Sequence, residues 1–81
     1  MTERELDEIR DRHDRATPGP WKAWVEGRDH TSGSSFVQTG GEDIEMSGAT
    51  TADYDFIAHA KQDVPRLLAE IRRLRALVGE K

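Results

Sequence analysis

The sequence contains no cysteine, so neither a disulfide framework nor a thiolate metal site is available. We therefore expect a reducing compartment, the cytoplasm. No stretch approaches the roughly 20 apolar residues that a membrane-spanning helix needs. Residues 1–5 also lack the apolar character of a signal peptide. At 81 residues the chain has room for one domain, residues 1–81. The sequence thus predicts a single domain without a membrane partner.

Motifs that carry catalysis are also missing. Gly40-Gly41 is followed by two acidic residues, which would repel phosphate. Three serines lie in a turn-rich segment without the strand-to-helix elbow that exposes a nucleophile: Ser32, Ser34 and Ser35. We therefore predict that the protein is not an enzyme and needs no cofactor.

Three histidines, His13, His30 and His59, are the candidates for proton transfer or metal binding. His59 and Asp63 stand four residues apart, a spacing that can hold a cation on a helix. No third metal ligand has a position relative to this pair that is evident from the sequence. We expect a surface ion pair there and no metal site.

The N-terminal segment predicts a helix from Thr2 to Ala16. Thr2 and Glu5 have the spacing of a capping box. Apolar or weakly polar residues recur every three or four positions on one face, namely Leu6, Ile9, His13 and Ala16. Two prolines flanking a glycine in residues 17–20 then end the helix in a stiff turn.

The middle of the chain predicts three strands joined as an antiparallel meander. Residues 21–26 alternate with period two, so that Trp21 and Trp24 face opposite sides. A polar loop over residues 27–34 leads to a returning strand at residues 35–39. After Gly40-Gly41, residues 43–47 alternate Ile44 and Met46 inward with acids outward, which predicts the third strand.

The last third predicts a helix that begins with a capping box at Thr50 and Asp53, where carboxylates such as Asp55 also stabilise exposed amides. Pro65 interrupts the pattern, which leaves either a kink or two helices that meet near Asp63. Gly79 ends the helix. The predicted fold class is α+β: an N-terminal helix, a three-stranded antiparallel β-meander and a C-terminal Pro-kinked helix.

Apolar residues in this helix repeat as the seam of a short coiled coil, with Leu68 and Leu77 widening it. The small meander is too short to cover the whole seam, so we expect a homo-oligomer. The predicted interface consists of Leu67, Ile71, Leu74, Leu77 and Val78.

Charge is unevenly distributed along the chain, whose net charge is −4. Residues 17–60 carry two basic residues against seven acids, whereas residues 61–81 carry six against three, a balance of +3. The basic helix favours either ion pairs at helical spacing, Asp63–Arg66 and Arg66–Glu70, or phosphate contact. The alternative function is therefore a dimeric DNA-binding regulator that uses Arg66, Arg72, Arg73 and Arg75. The acidic remainder argues against nucleic acid.

A small ligand is the other candidate partner. Arg15, Trp21, Lys22 and Trp24 cluster around the Pro-Gly-Pro turn and could offer cationic and stacking contacts to a nucleotide signal. Core packing or an oligomer interface is the competing use of either tryptophan.

Three segments occur in a familiar order: Thr17-Pro18-Gly19-Pro20-Trp21, then Asp55-Phe56-Ile57-Ala58-His59-Ala60, then Asp63-Val64-Pro65-Arg66-Leu67-Leu68 with Ile71 and Leu74. In this the chain resembles the Ead-type small proteins of bacteriophages and of actinobacterial genomes and prophages, in which the region equivalent to residues 27–47 varies. The resemblance implies an accessory phage protein of the host cytoplasm and supplies no catalytic residue. We expect a non-enzymatic, homo-oligomeric module that sequesters a small ligand or a host protein, for example in evading host defence.

Overall fold

A computed structural model describes residues 1–29 and 33–79 of the protein. Within these residues, four elements follow one another: α1 (Glu3–Arg15), β1 (Lys22–Trp24), β2 (Phe36–Gln38) and α2 (Thr51–Leu77). The molecule is elongated, with extents of 52 × 21 × 20 Å. Predictions that concern His30, Ser32, Glu80 and Lys81 lie outside the described residues.

Both helices begin with the capping boxes that the sequence predicts. The Thr2 hydroxyl accepts a hydrogen bond from the Glu5 amide, while the Glu5 carboxylate accepts one from the Thr2 amide. Thr50 and Asp53 repeat this arrangement at the start of α2. Each box satisfies amide groups that the first helical turn cannot pair internally. At the other end of α2, Gly79 adopts a φ of 78° and donates its amide to the Ala76 carbonyl, as a glycine C-cap does.

The strand alternation is also confirmed, although both strands are shorter than predicted. β1 and β2 pair antiparallel, with Ala23 opposite Val37 and Trp24 opposite Phe36. Ala23 and Val37 are buried, whereas Trp24 and Phe36 are only half-buried on the outer face of the sheet. Beyond β2, the chain turns at Gly40, whose amide donates to the Pro18 carbonyl. A Cβ on Gly40 would lie 2.6 Å from that oxygen, so a glycine is required there.

The predicted three-stranded meander is wrong, because the sheet that the described residues form has two strands. Ile44 forms an isolated bridge with Val37 through two backbone hydrogen bonds of 2.8 and 2.9 Å. The pairing does not continue to Met46, because the Tyr54 hydroxyl, from α2, occupies the backbone groups of that residue. This hydroxyl accepts a hydrogen bond from the Met46 amide and lies 3.1 Å from the Met46 carbonyl. The side chains of Ile44 and Met46 still pack against the core. A side chain from the helix has therefore replaced a strand partner.

Of the alternatives that Pro65 left open, the structure contains one helix, which continues through the proline from Thr51 to Leu77. Asp63 consequently lies inside this helix and does not cap a second one. Its 27 residues correspond to a length of about 40 Å.

α2 packs against the sheet near its beginning and against α1 along its second half. The sheet side contains a core cluster of buried residues, Ala23, Val25, Val37, Tyr54 and Ala58. The α1 side buries Leu6 and Leu68. Because His13 contacts Lys61 while Glu3 contacts Arg75, α1 runs antiparallel to α2. Leu68 thus belongs to the intramolecular core and does not widen the seam as predicted.

Candidate binding surfaces

The four residues of the predicted ligand site do not lie together in the structure. The Trp21 backbone amide donates to the Gln62 side chain at 2.8 Å, and its indole ring lies 5.6 Å from the Lys61 Nζ. On the outer face of the sheet, the Lys22 Nζ lies 4.2 Å from the centre of the Trp24 ring. Arg15 is the exposed last residue of α1. The structure therefore brings Lys22 and Trp24 together but places Trp21 on the core side.

The outer face of the sheet forms a shallow cavity of about 330 Å³, lined by Trp24, Phe36, Gln38 and Asp43. Trp24 and Phe36 stand directly opposite each other in the strand register. The indole N–H of Trp24 donates to the Gln38 Oε1 at 2.9 Å, which fixes the orientation of the ring. The sequence predicts Phe36 in a strand and Asp43 at the start of another, but only the tertiary structure shows that both line the cavity beside the Trp24 ring.

A second, apolar groove of about 340 Å³ separates α1 from α2 beside Trp21. Its walls are formed by Ile9, Ala16, Trp21, Ile57, Ala60 and Val64, and its rim includes Arg12, His13 and Lys61. The Lys61 ammonium donates to the His13 carbonyl at 2.8 Å, so that this rim is held to both helices. Val64 lies one helical turn from both Ala60 and Leu67, and the groove is therefore continuous with the next surface.

The most apolar exposed surface is one side of α2 and its C-cap residue. We call it the α2 stripe, which consists of Phe56, Leu67, Ile71, Leu74, Leu77 and the C-cap residue Val78. Leu67, Leu74 and Val78 are 61%, 48% and 73% exposed, Leu77 is 70% exposed, and Ile71 is half-buried. Phe56, at 74%, is the most exposed large apolar residue. The five residues of the predicted interface therefore lie on one side of one helix, outside the intramolecular core.

Charged residues of both signs border the α2 stripe on one side, in the order Asp63, Arg66, Glu70 and Arg73. Three of them, with Leu67, line an open cavity of about 480 Å³. Glu70 accepts hydrogen bonds from Arg73, which lowers the pKa of Glu70 and raises that of Arg73. Over residues 1–29 and 33–79, Asp63 and Arg66 make no ion pair. The predicted pairs Asp63–Arg66 and Arg66–Glu70 are thus replaced by Glu70–Arg73.

Arginines of the basic C-terminal helix are largely engaged by acids of this chain. Arg72 donates to Asp7 at 2.8 Å, and Arg75 donates to Glu3 at 2.7 Å. Together with Arg73, three of the four arginines of the DNA-binding alternative therefore have carboxylate partners. Such pairs neutralise charge that phosphate contact would require.

The two described histidines, His13 and His59, make contacts to backbone oxygens. The His59 Nδ1 lies 2.8 Å from the Asp55 carbonyl of its own helix, not beside Asp63 as predicted. The His13 Nε2 lies 2.8 Å from the Lys61 carbonyl, and its Nδ1 lies 2.9 Å from the Asp14 carboxylate, whose pKa this contact lowers. In the described part of the chain, no three histidine, aspartate or glutamate side chains gather as a metal site would require.

Neither described helix has the length and apolar character that crossing a membrane requires. No family model, no curated protein and no solved structure matches this chain. The resemblance to the Ead-type phage proteins therefore remains an expectation from the three sequence segments.

Proposed function

We propose that the protein is a non-enzymatic binding module that assembles as an antiparallel homodimer through the α2 stripe and acts as a phage-type accessory protein in the cytoplasm of a host cell. The observation that carries this proposal is the row of large apolar side chains left exposed on one side of α2. Contiguous exposed apolar surface on a small protein marks an interaction site. In this proposal, the outer face of the sheet and the groove beside Trp21 bind the small ligand or host protein that the module sequesters.

The charges beside the stripe favour a second copy of this chain as the occupant. Read along α2, Asp63, Arg66, Glu70 and Arg73 alternate in sign. A two-fold axis perpendicular to the helix reverses this order, so that Asp63 faces Arg73 of the second copy and Arg66 faces its Glu70. Every charge then meets its opposite, and Asp63 and Arg66 gain the ion partners that they lack in the single chain. The axis would pass close to Leu67, which also lies midway along the stripe.

The absence of cysteine permits a direct test of this geometry, because single cysteines can be introduced at chosen positions. In the proposed dimer, position 67 lies beside its own symmetry mate, whereas position 78 is displaced from its mate by at least about 30 Å along the helix axes. A disulfide requires Cα atoms within about 7 Å. We expect Leu67→Cys to cross-link on mild oxidation and Val78→Cys not to do so, with light scattering finding reduced forms of both variants dimeric.

Cross-linking at both positions would instead indicate parallel helices and contradict the proposed geometry. Light scattering that finds the wild-type protein monomeric at high concentration would contradict the proposed dimer altogether.

Charge exchange provides a matched control. Asp63→Arg should weaken the dimer, and combining it with Arg73→Asp should restore the association, since the ion pair is regenerated across the two-fold axis.

A further inference from the structure

We infer that the outer face of the sheet is a binding site for an organic ammonium cation, with Trp24 and Phe36 as the aromatic walls and Asp43 as the counter-charge. This inference names the ligand class of the proposed binding module and rests on that proposal only in treating the chain as a binder. The site lies on the sheet, not on the α2 stripe, so dimer formation and ligand binding can be measured separately.

The first observation is that a cation already occupies one side of the Trp24 ring. The Lys22 ammonium lies 4.2 Å from the ring centre, inside the distance at which the negative face of an indole attracts a cation. Lys22 is not among the residues that line the cavity of about 330 Å³. Its position shows that the environment of this ring accommodates positive charge.

The second observation is the composition of that cavity. Trp24 and Phe36 are opposite one another across the two strands, and both remain half-buried on the outer face. Asp43 adds a carboxylate that forms no ion pair with any described residue. Two aromatic rings with an unpaired carboxylate are the groups that recognise alkylated ammonium ions, because the rings contact the methyl groups and the carboxylate balances the charge.

The third observation is the charge of the surrounding chain. Residues 40–47 contain three acids, Glu42, Asp43 and Glu45, and no basic residue. This local field attracts a cation and repels a phosphate-bearing ligand. The charge therefore opposes the nucleotide that the sequence alone suggested for Lys22 and Trp24, and it favours a ligand of the opposite sign at the same ring.

The test compares choline with 3,3-dimethylbutan-1-ol, a neutral molecule of nearly the same shape, by titrating ¹⁵N-labelled protein. Trp24 supplies one of only two indole N–H signals, and Trp21→Phe assigns them. We expect choline to shift the Trp24 signal saturably and the neutral analogue to leave it in place. Titration with AMP, an anionic and aromatic ligand, forms the third arm.

Two variants, one that removes a negative charge and one that removes a positive charge beside the Trp24 ring, test whether the ligand is a cation. Asp43→Asn should weaken choline binding about fivefold or more, and Lys22→Gln should strengthen it about twofold, since it removes a neighbouring like charge. An anionic ligand would respond in the opposite direction to both variants. Thermal melts of each variant establish that the fold is retained.

Three outcomes would overturn the inference: no shift with choline, equal shifts with choline and its neutral analogue, or a saturable shift with AMP that Lys22→Gln abolishes. Light scattering on the same samples reports the dimer independently. A dimer that ignores choline would thus refute the ammonium site alone, whereas a monomer that binds choline would refute the proposed assembly alone.

Discussion

Arg28 is the residue that connects the loop after β1 to the beginning of α2. Its Nη1 and Nη2 donate to the two oxygens of Asp55 at 2.8 and 3.0 Å, and its Nε and Nη2 donate to Asp29 at 3.0 and 2.9 Å. Asp29 also accepts the Val25 amide at 2.8 Å. The bonds from Arg28 lower the pKa of both carboxyl groups and raise the pKa of Arg28 itself. From its position in the sequence, Asp55 is expected only to stabilise the start of the helix.

This arrangement predicts how stability depends on pH. Because the pKa values of Asp29 and Asp55 are lowered in the folded chain, their contribution is fully present above the ordinary value of 3.8 and is lost as pH falls through the lowered values. Asp55→Asn should therefore lower Tm at pH 7, and the difference from wild type should shrink as the pH is taken below 3.8.

Asp11→Asn, on an exposed position of α1, is the matched control and should produce no such trend. A Tm difference between wild type and Asp55→Asn that stays constant from neutral pH to acid would show that the Arg28 bonds do not contribute through the charge of Asp55.

At the scale of the elements, the junction between α1 and α2 depends on Pro65. A helical residue at position 65 would donate its amide to the Lys61 carbonyl, but proline has no amide hydrogen. His13, from α1, takes the place of that donor, with its Nε2 at 2.8 Å from the Lys61 oxygen. In return, the Lys61 ammonium donates to the His13 carbonyl at 2.8 Å. The defect that Pro65 creates in one helix is thus the attachment point for the other.

The two residues should accordingly be coupled in stability. His13→Ala leaves the half-buried Lys61 carbonyl without a donor, which costs about 1–3 kcal/mol. In a Pro65→Ala background the restored amide supplies a donor, so the same His13→Ala substitution should cost less, with a coupling on the order of 1 kcal/mol. Denaturant unfolding of the four proteins measures this difference. Equal costs of His13→Ala in the two backgrounds would contradict the role of Pro65.

At the scale of the whole molecule, α2 belongs to two packing units and still leaves one side uncovered. The sheet packs around Tyr54 and Ala58, and α1 covers Leu68, whereas no residue of the α2 stripe is buried in the core. An elongated chain of 81 residues has little core for its surface. Association through the stripe would therefore supply stability that the monomer lacks.

Leu74→Glu should convert the proposed dimer to a monomer and remove any dependence of Tm on protein concentration, because a carboxylate in an apolar interface costs several kcal/mol. Ala69→Glu is the matched control, since Ala69 is exposed on the opposite side of α2. Light scattering and melts at two concentrations measure both effects. If Leu74→Glu behaves like Ala69→Glu and like wild type, the α2 stripe is not an interface.

Local chemistry was sufficient for much of the fold. The two capping boxes, the end of α1 before Pro18, the glycine C-cap at Gly79 and the two faces of β1 all depend on residues within a few positions of one another. For that reason, the local sequence alone is sufficient to predict their side-chain and backbone geometry. The predicted interface residues were located on one side of α2 for the same reason, since helical periodicity alone decides which residues share a side.

Contacts between distant residues decided the rest. The third strand did not form because Tyr54 reached Met46 from another element, and the Lys61 carbonyl that Pro65 leaves without an amide donor is contacted by His13, 48 positions away. Distant contacts also place Trp24 opposite Phe36, through the strand register. They likewise pair Arg72 and Arg75 with acidic residues of α1. The sequence by itself determined where helices begin and which residues share a face. Only the tertiary structure decided which of those faces remain free, because burial depends on partners that no local pattern specifies.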